Sequence, residues 1–120
     1  MPNPVIHWEI AARDRKKVQE FYASLFGWSV NDNNPMNYGL VDTAAGGING
    51  GIMQCQGEQP PYVTFYVHVE DPAATLARAT SLGGKICLPA TPIPDVGTIG
   101  LFQDPEGHLI GIIKMLRPPA

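Results

Sequence analysis

Two histidines, a glutamate and a tyrosine fall where strand periodicity would gather them. In VIHWEI, residues 5 to 10, Ile6, Trp8 and Ile10 take one set of alternate positions and His7 and Glu9 the other. That is the period of two expected of a strand with one apolar face. His7 therefore points away from the main core, either onto a wetted sheet face or into a pocket as a metal ligand or catalytic base. Glu9 shares its face, about 6.5 to 7 Å along the chain, so an imidazole that titrates near neutral pH would stand beside a carboxylate able to orient it. In TFYVHV, Thr64, Tyr66 and His68 likewise share one phase, opposite Phe65, Val67 and Val69. His7, Glu9, Thr64, Tyr66 and His68 are the candidate ligand-binding residues, and His7, Glu9, Tyr66 and His68 the candidate catalytic groups. His108, beside Gly107, is expected in a solvent-exposed or turn-bonding role.

The elements that must position these side chains repeat. Sliding the sequence by 57 positions aligns HWEIAARDRKKVQEFYASLFGW with TFYVHVEDPAATLARATSLGGK without a gap, placing Asp14 on Asp71, Ser24 and Leu25 on Ser81 and Leu82, and Gly27 on Gly84. Both segments carry the same order of signals: alternating strand, acidic helix start, apolar stripe, terminal glycine. Asp14 is expected to cap a helix whose stripe is Val18, Phe21, Tyr22 and Leu25 and which Gly27 ends. In the second copy Asp71 caps, Pro72 takes the first helical position, and Leu76, Ala79 and Thr80 form a thinner stripe. Short strands should follow at 27–31, 38–43 and 50–55, and again at 85–88, 98–103 and 109–115. EQPP, residues 58 to 61, reads as the link between the halves. Gly46, Gly47, Gly50 and Gly51 are too irregularly spaced for a phosphate loop and read as a tight turn entering a strand.

Composition narrows the partners. A chain of 120 residues is one domain by length, and 8 Lys+Arg against 11 Asp+Glu, a formal charge of −3 with no basic run, argues against nucleic acid. No apolar stretch approaches the roughly 20 residues of a membrane span, and the first ten residues lack the pattern of a signal peptide, so a cytoplasmic protein is expected. Cys55 and Cys87 are too far apart for a ligand pair and read as reduced thiols.

This arrangement, with FYASLFGW, the paired glycines after the second helix and above all FQDPEGHLIGI near the C-terminus, resembles the vicinal oxygen chelate superfamily. That group includes glyoxalase I, bleomycin-resistance proteins and extradiol dioxygenases. The resemblance implies an α+β fold of two tandem βαβββ modules, here 5–56 and 62–116 joined by 57–61, forming an incomplete barrel around a cavity, with Trp8 and Phe65 buried beneath the helices. It also implies a small-molecule ligand and a homodimer.

In metal-dependent members the ligands come from the first and last strands of each module. Carried across, these positions fall on His7, which matches; on Thr64, a poor ligand; on Gly111, which has no side chain; and within Gly50 to Gln54. No metal is therefore expected, and should Zn, Ni, Mn or Fe bind, His7, Glu9 and Gln54 are its candidate ligands. The expected function is binding or transformation of a small polar or aromatic ligand at a degenerate metal site. The alternative is a metal-dependent lyase, isomerase or dioxygenase using His7 with non-standard ligands.

Overall fold

A computed structural model of the protein describes residues 2–44 and 46–117. The chain is α+β and runs strand, helix, three strands, twice over. Two compact units emerge: His7–Thr64, and the described residues before His7 and after Thr64.

In the first unit the sheet order is β2 (Ser29–Asn31), β3 (Gly39–Asp42), β4 (Gly50–Gln54), β1 (Val5–Ala12). β1 and β4 are parallel, with Trp8 opposite Gly50 and Glu9 opposite Gly51, while β3 runs antiparallel to β4. The alternation read in VIHWEI thus becomes two faces. Trp8, Ile10 and Ala12 join Val41 and Ile52 in the core, and Val18 and Tyr22 of α1 (Arg15–Phe26) pack on them. Fully burying an aliphatic side chain such as Ile52 contributes roughly 1.5 to 3 kcal/mol. α1 begins where expected, the Asp14 carboxylate accepting from the Lys17 N–H at 3.2 Å. It ends at Gly27, whose φ of 72° is the left-handed value glycine tolerates best.

The face α1 presents is not the one its apolar stripe suggests. Its buried residues are Arg15 and Gln19, one turn apart, whereas Phe21 and Leu25 are each 58% exposed. Arg15 donates to Gln19 Oε1 and, at 2.9 Å, to Asp32 Oδ2, and Gln19 Nε2 reaches the same Asp32 oxygen at 3.4 Å. A buried guanidinium needs such partners. Once they are placed, the helix is rotated so that 15, 18, 19 and 22 face the sheet.

The second unit, which holds β5 (Tyr62–His68) from Phe65 on, orders its strands β5, β8 (Leu109–Met115), β7 (Gly97–Gln103), β6 (Lys85–Ile93). Asp71 caps α2 (Pro72–Ser81), accepting from the Ala74 N–H at 3.0 Å. Leu76 is driven into a core with Val69 and Ile112, and Val67, Ala90 and Phe102 pack around it. Thr80, expected in the stripe, is exposed. Phe65, expected beneath a helix, is 39% exposed. β6 extends five residues past the expected Leu88 to Ile93, through Pro89 and Pro92, with irregular register between Ile86 and Thr91. It lies at the end of its unit's strand order, paired there only with β7, where a missing N–H interrupts no second ladder. The DPEG turn forms as read: Asp104 accepts from the N–H groups of Glu106 and His108, and the His108 ring lies 2.9 Å from the same carboxylate.

Candidate functional site

The helix-free face of the first unit's sheet carries His7 and Glu9, as their phase requires. Glu9 is buried at 5% exposure, and a carboxylate so placed must be hydrogen-bonded. Two phenols meet it. Tyr38 donates to Oε1 at 2.9 Å and Tyr62 to Oε2 at 2.7 Å. His7 Nε2 lies 3.0 Å from the Tyr38 hydroxyl, and the two rings stack at a centroid separation of 6.2 Å. Since the Tyr38 proton goes to Glu9, His7 donates its Nε2–H to the Tyr38 oxygen. The result is a continuous chain, His7 to Tyr38 to Glu9 to Tyr62.

Glycine makes the room. A Cβ built on Gly51, which faces Glu9 across the β1–β4 pair, would lie 1.9 Å from Tyr38 Cε2; on Gly50, pointing the other way, it would lie 2.1 Å from Trp8 Cδ2. Adjacent glycines in β4 therefore seat one ring on each face. Asn34 holds Tyr38 from behind, its Oδ1 accepting the Tyr38 N–H at 3.1 Å and its Nδ2 donating to the Tyr38 carbonyl at 2.6 Å.

Burial sets the protonation of the chain's two ends. It pushes the His7 imidazole below its ordinary value, against a weaker upward pull from Glu9. It pushes the Tyr62 phenol up, with the Glu9 charge acting in the same direction, so Tyr62 remains a donor. Because the folded value for His7 lies below the unfolded one, about 6.5, the unfolded chain binds the proton more readily at mildly acid pH. The stabilisation is present above pH ~6.5 and is lost as pH falls toward the folded value. Urea unfolding should show wild type losing more stability between pH ~7.5 and ~5.5 than His7→Gln does. Equal losses would mean that His7 titrates as it does in the unfolded chain.

A cleft of about 450 Å³ opens on this same face, lined by His7, Ser29, Asn31, Leu40, Asp42 and Asn49 among others. Strand register explains the set: Ser29 pairs with Asp42 and Asn31 with Leu40, so every second residue of β2 and β3 points there. The volume is within the range of small-ligand sites.

The divalent metal that the fold implies would need a convergent set of donors on this face. Among the described residues no three His, Cys, Asp or Glu side chains gather in a metal-holding arrangement. Gln54, the third candidate ligand, pairs with Ala12 on the helix-facing phase of β4. There its Oε1 accepts the Arg15 N–H at 3.0 Å and its Nε2 donates to the Arg13 carbonyl, fastening the start of α1. It therefore lies on the face opposite His7 and Glu9. In the second unit, Gly111 stands opposite Tyr66, and a Cβ there would lie 2.5 Å from Tyr66 Cδ1. An aromatic ring occupies the space a carboxylate would need. These residues do not fit such a metal.

Of the five ligand-binding candidates, the structure joins His7 and Glu9 through Tyr38. Thr64 belongs to the same unit and is buried at 5% exposure. Tyr66 and His68 belong to the other unit: Tyr66 is buried against Gly111, and the His68 N–H donates to the Pro4 carbonyl at 2.8 Å. Tyr38 and Tyr62 are the residues that sequence reasoning missed. Tyr62 continues the phase of Thr64 and Tyr66 by two positions and was legible there. Tyr38 sits just before β3 with no periodicity of its own, and its one signal is Gly51, which receives it.

A tandem βαβββ chain with histidine on its first strand and a ligand-sized cleft on the helix-free sheet face has the architecture of the vicinal oxygen chelate superfamily. Residues 7–113 match the model of the glyoxalase-like domain, and the chain belongs to that family. It is 32% identical over 108 residues to a glyoxylase-like domain-containing protein of Didymella fabae, covering 83% of this chain and 84% of that one. It is 29% identical over 117 residues to CFP32 of Mycobacterium bovis, a protein named as a candidate glyoxylase, covering 91% of this chain and 44% of that one. The chain thus spans under half the length of the mycobacterial relative. In fold it is similar to methylmalonyl-CoA epimerase from Mycobacterium tuberculosis, with a TM-score of 0.68 at 18% identity, covering 94% and 88% of the two chains.

Proposed function

We propose that this glyoxalase-like protein binds a small polar or aromatic molecule on the helix-free face of its first unit, using His7 and the Glu9 carboxylate network in place of a metal. The observation that carries the reading is the hydrogen-bonded chain from His7 to Tyr62, buried behind a cleft that His7 lines. Here His7 offers a hydrogen-bond partner and, where the ligand carries an acidic hydrogen, a base within reach of it. A proton accepted by His7 would form an imidazolium that the Glu9 carboxylate, one hydroxyl away, stabilises electrostatically. Tyr38 and Tyr62 hold that carboxylate in place and act as positioning residues.

Thermal-shift screening of metabolites and aromatic compounds tests the reading, since a ligand that binds only the folded state raises its stability. Binders should lose most of their effect in His7→Ala and part of it in Tyr38→Phe, which removes the hydroxyl linking His7 to Glu9. Undiminished shifts in a folded His7→Ala, Glu9→Ala double variant would remove this face as the site.

A further inference from the structure

The lining of the first unit's cleft has a charge and a hydrogen-bonding pattern that narrow what it can hold. Asn31 Oδ1 already accepts the Asn33 N–H at 3.0 Å, and Asn49 Oδ1 accepts the Thr43 N–H at 2.9 Å. Each amide oxygen thus already accepts a backbone N–H, and each side chain keeps its NH₂ group as the donor it offers a ligand. Asp42 Oδ1 accepts the Ala44 N–H at 2.8 Å, which leaves Oδ2 as an acceptor of full carboxylate strength. Ser29, able both to donate and to accept, stands opposite Asp42 in the β2–β3 register. The cleft thus combines amide donors with a carboxylate and a hydroxyl. Among the described residues no lysine or arginine lines it, and the buried Glu9 adds a second negative charge on the same sheet face.

We infer that the cleft takes an uncharged or cationic, hydroxyl-rich small molecule of the polyol or sugar class, and discriminates against carboxylates and phosphates. This rests on the reading of the helix-free face as the ligand site. The physical argument is complementarity. A hydroxyl donates one hydrogen bond and accepts others, so a hydroxyl-rich molecule matches a lining that offers both NH₂ donors and carboxylate acceptors. A phosphate or carboxylate only accepts, and would meet Asp42 with like charge and with no cation to offset it. An ammonium group would gain from the same two carboxylates.

Glucose, glucosamine and glucose-6-phosphate share a scaffold and differ in charge, which makes them suitable probes. Titrated into ¹⁵N-labelled protein at low ionic strength, glucose and glucosamine should shift the side-chain NH₂ signals of Asn31 and Asn49. Glucosamine should bind most tightly, and glucose-6-phosphate at least about tenfold more weakly than glucosamine. The gap should narrow with added salt and in Asp42→Asn, which keeps the Oδ1 contact to Ala44 and loses the charge. Three failures are distinguishable. Should the sugars bind while the Asn31 and Asn49 signals stay still, the helix-free face is not the site. If those signals move but glucose-6-phosphate binds as tightly as glucosamine, the site stands and the charge argument is overturned. Absence of any shift with all three sugars at tens of millimolar overturns the ligand class.

Discussion

Replacing Trp8 with alanine should lower the stability of the protein by about 3 kcal/mol, the low end of what removal of a packed tryptophan costs. Its position accounts for both the size and the limit of the effect. The ring lies over Gly50, meets Trp28 at a centroid distance of 5.0 Å, and packs against the core of Ala12, Val41 and Ile52. The indole N–H donates to the Ile48 carbonyl at 2.8 Å, tying the approach to β4 onto β1. Trp8 is only partly buried, which holds the cost below that of a fully enclosed indole. Because Gly50 has no side chain to fill the space, the truncated site cannot close by a small shift. Urea unfolding should show a lower midpoint with an unchanged slope. A loss below about 1 kcal/mol would mean that the Trp8 face is not part of the core.

The strand phase that places Trp8 was legible in the sequence because a period of two leaves only two choices and Ile6, Trp8 and Ile10 select one. The helix caps were legible for a similar reason: Asp14 and Asp71 each stand just ahead of a helical segment with an apolar stripe, and few other residues satisfy the first-turn N–H groups. The rotation of α1 was not. Val18, Phe21, Tyr22 and Leu25 form a regular stripe, yet the buried Arg15 and Gln19 turn the helix toward Asp32, a residue from a different part of the chain. Local periodicity carries no record of such a partner. β6 was cut short for the opposite reason, since Pro89 and Pro92 argue against a strand until its edge position is known. At the candidate site His7 and Glu9 could be read from phase alone. What links them could not, because Tyr38 lies beyond α1 and β2 in the sequence, and only Gly51 of β4 records its presence.

Gly51→Ala should therefore act on the site through Tyr38. A methyl group at position 51 would fall within about 2 Å of Tyr38 Cε2, Cζ and the hydroxyl oxygen, at 1.9, 2.1 and 2.1 Å. The ring cannot yield by simply swinging its tip, because Asn34 holds the Tyr38 backbone on both its N–H and its carbonyl. Displacing it removes one of the two phenols that satisfy the buried Glu9 and breaks the link to His7. The strain of overpacking is about 1 to 3 kcal/mol, and leaving a buried carboxylate short of a donor adds roughly 1 to 3 kcal/mol. A total loss near 3 kcal/mol is expected, together with weaker ligand-induced stabilisation. Tyr38→Ala removes the same donor, and in place of the clash it loses the packing of the ring. The two effects share one cause, so they should not add. Once Tyr38 is alanine, the methyl group at position 51 enters space the ring has vacated, and the double variant Tyr38→Ala, Gly51→Ala should be no less stable than Tyr38→Ala. Additive losses in that cycle would show that glycine at 51 serves the backbone of β4 and not the seat of Tyr38. The chain from His7 to Tyr62 would then lose its explanation in the sequence.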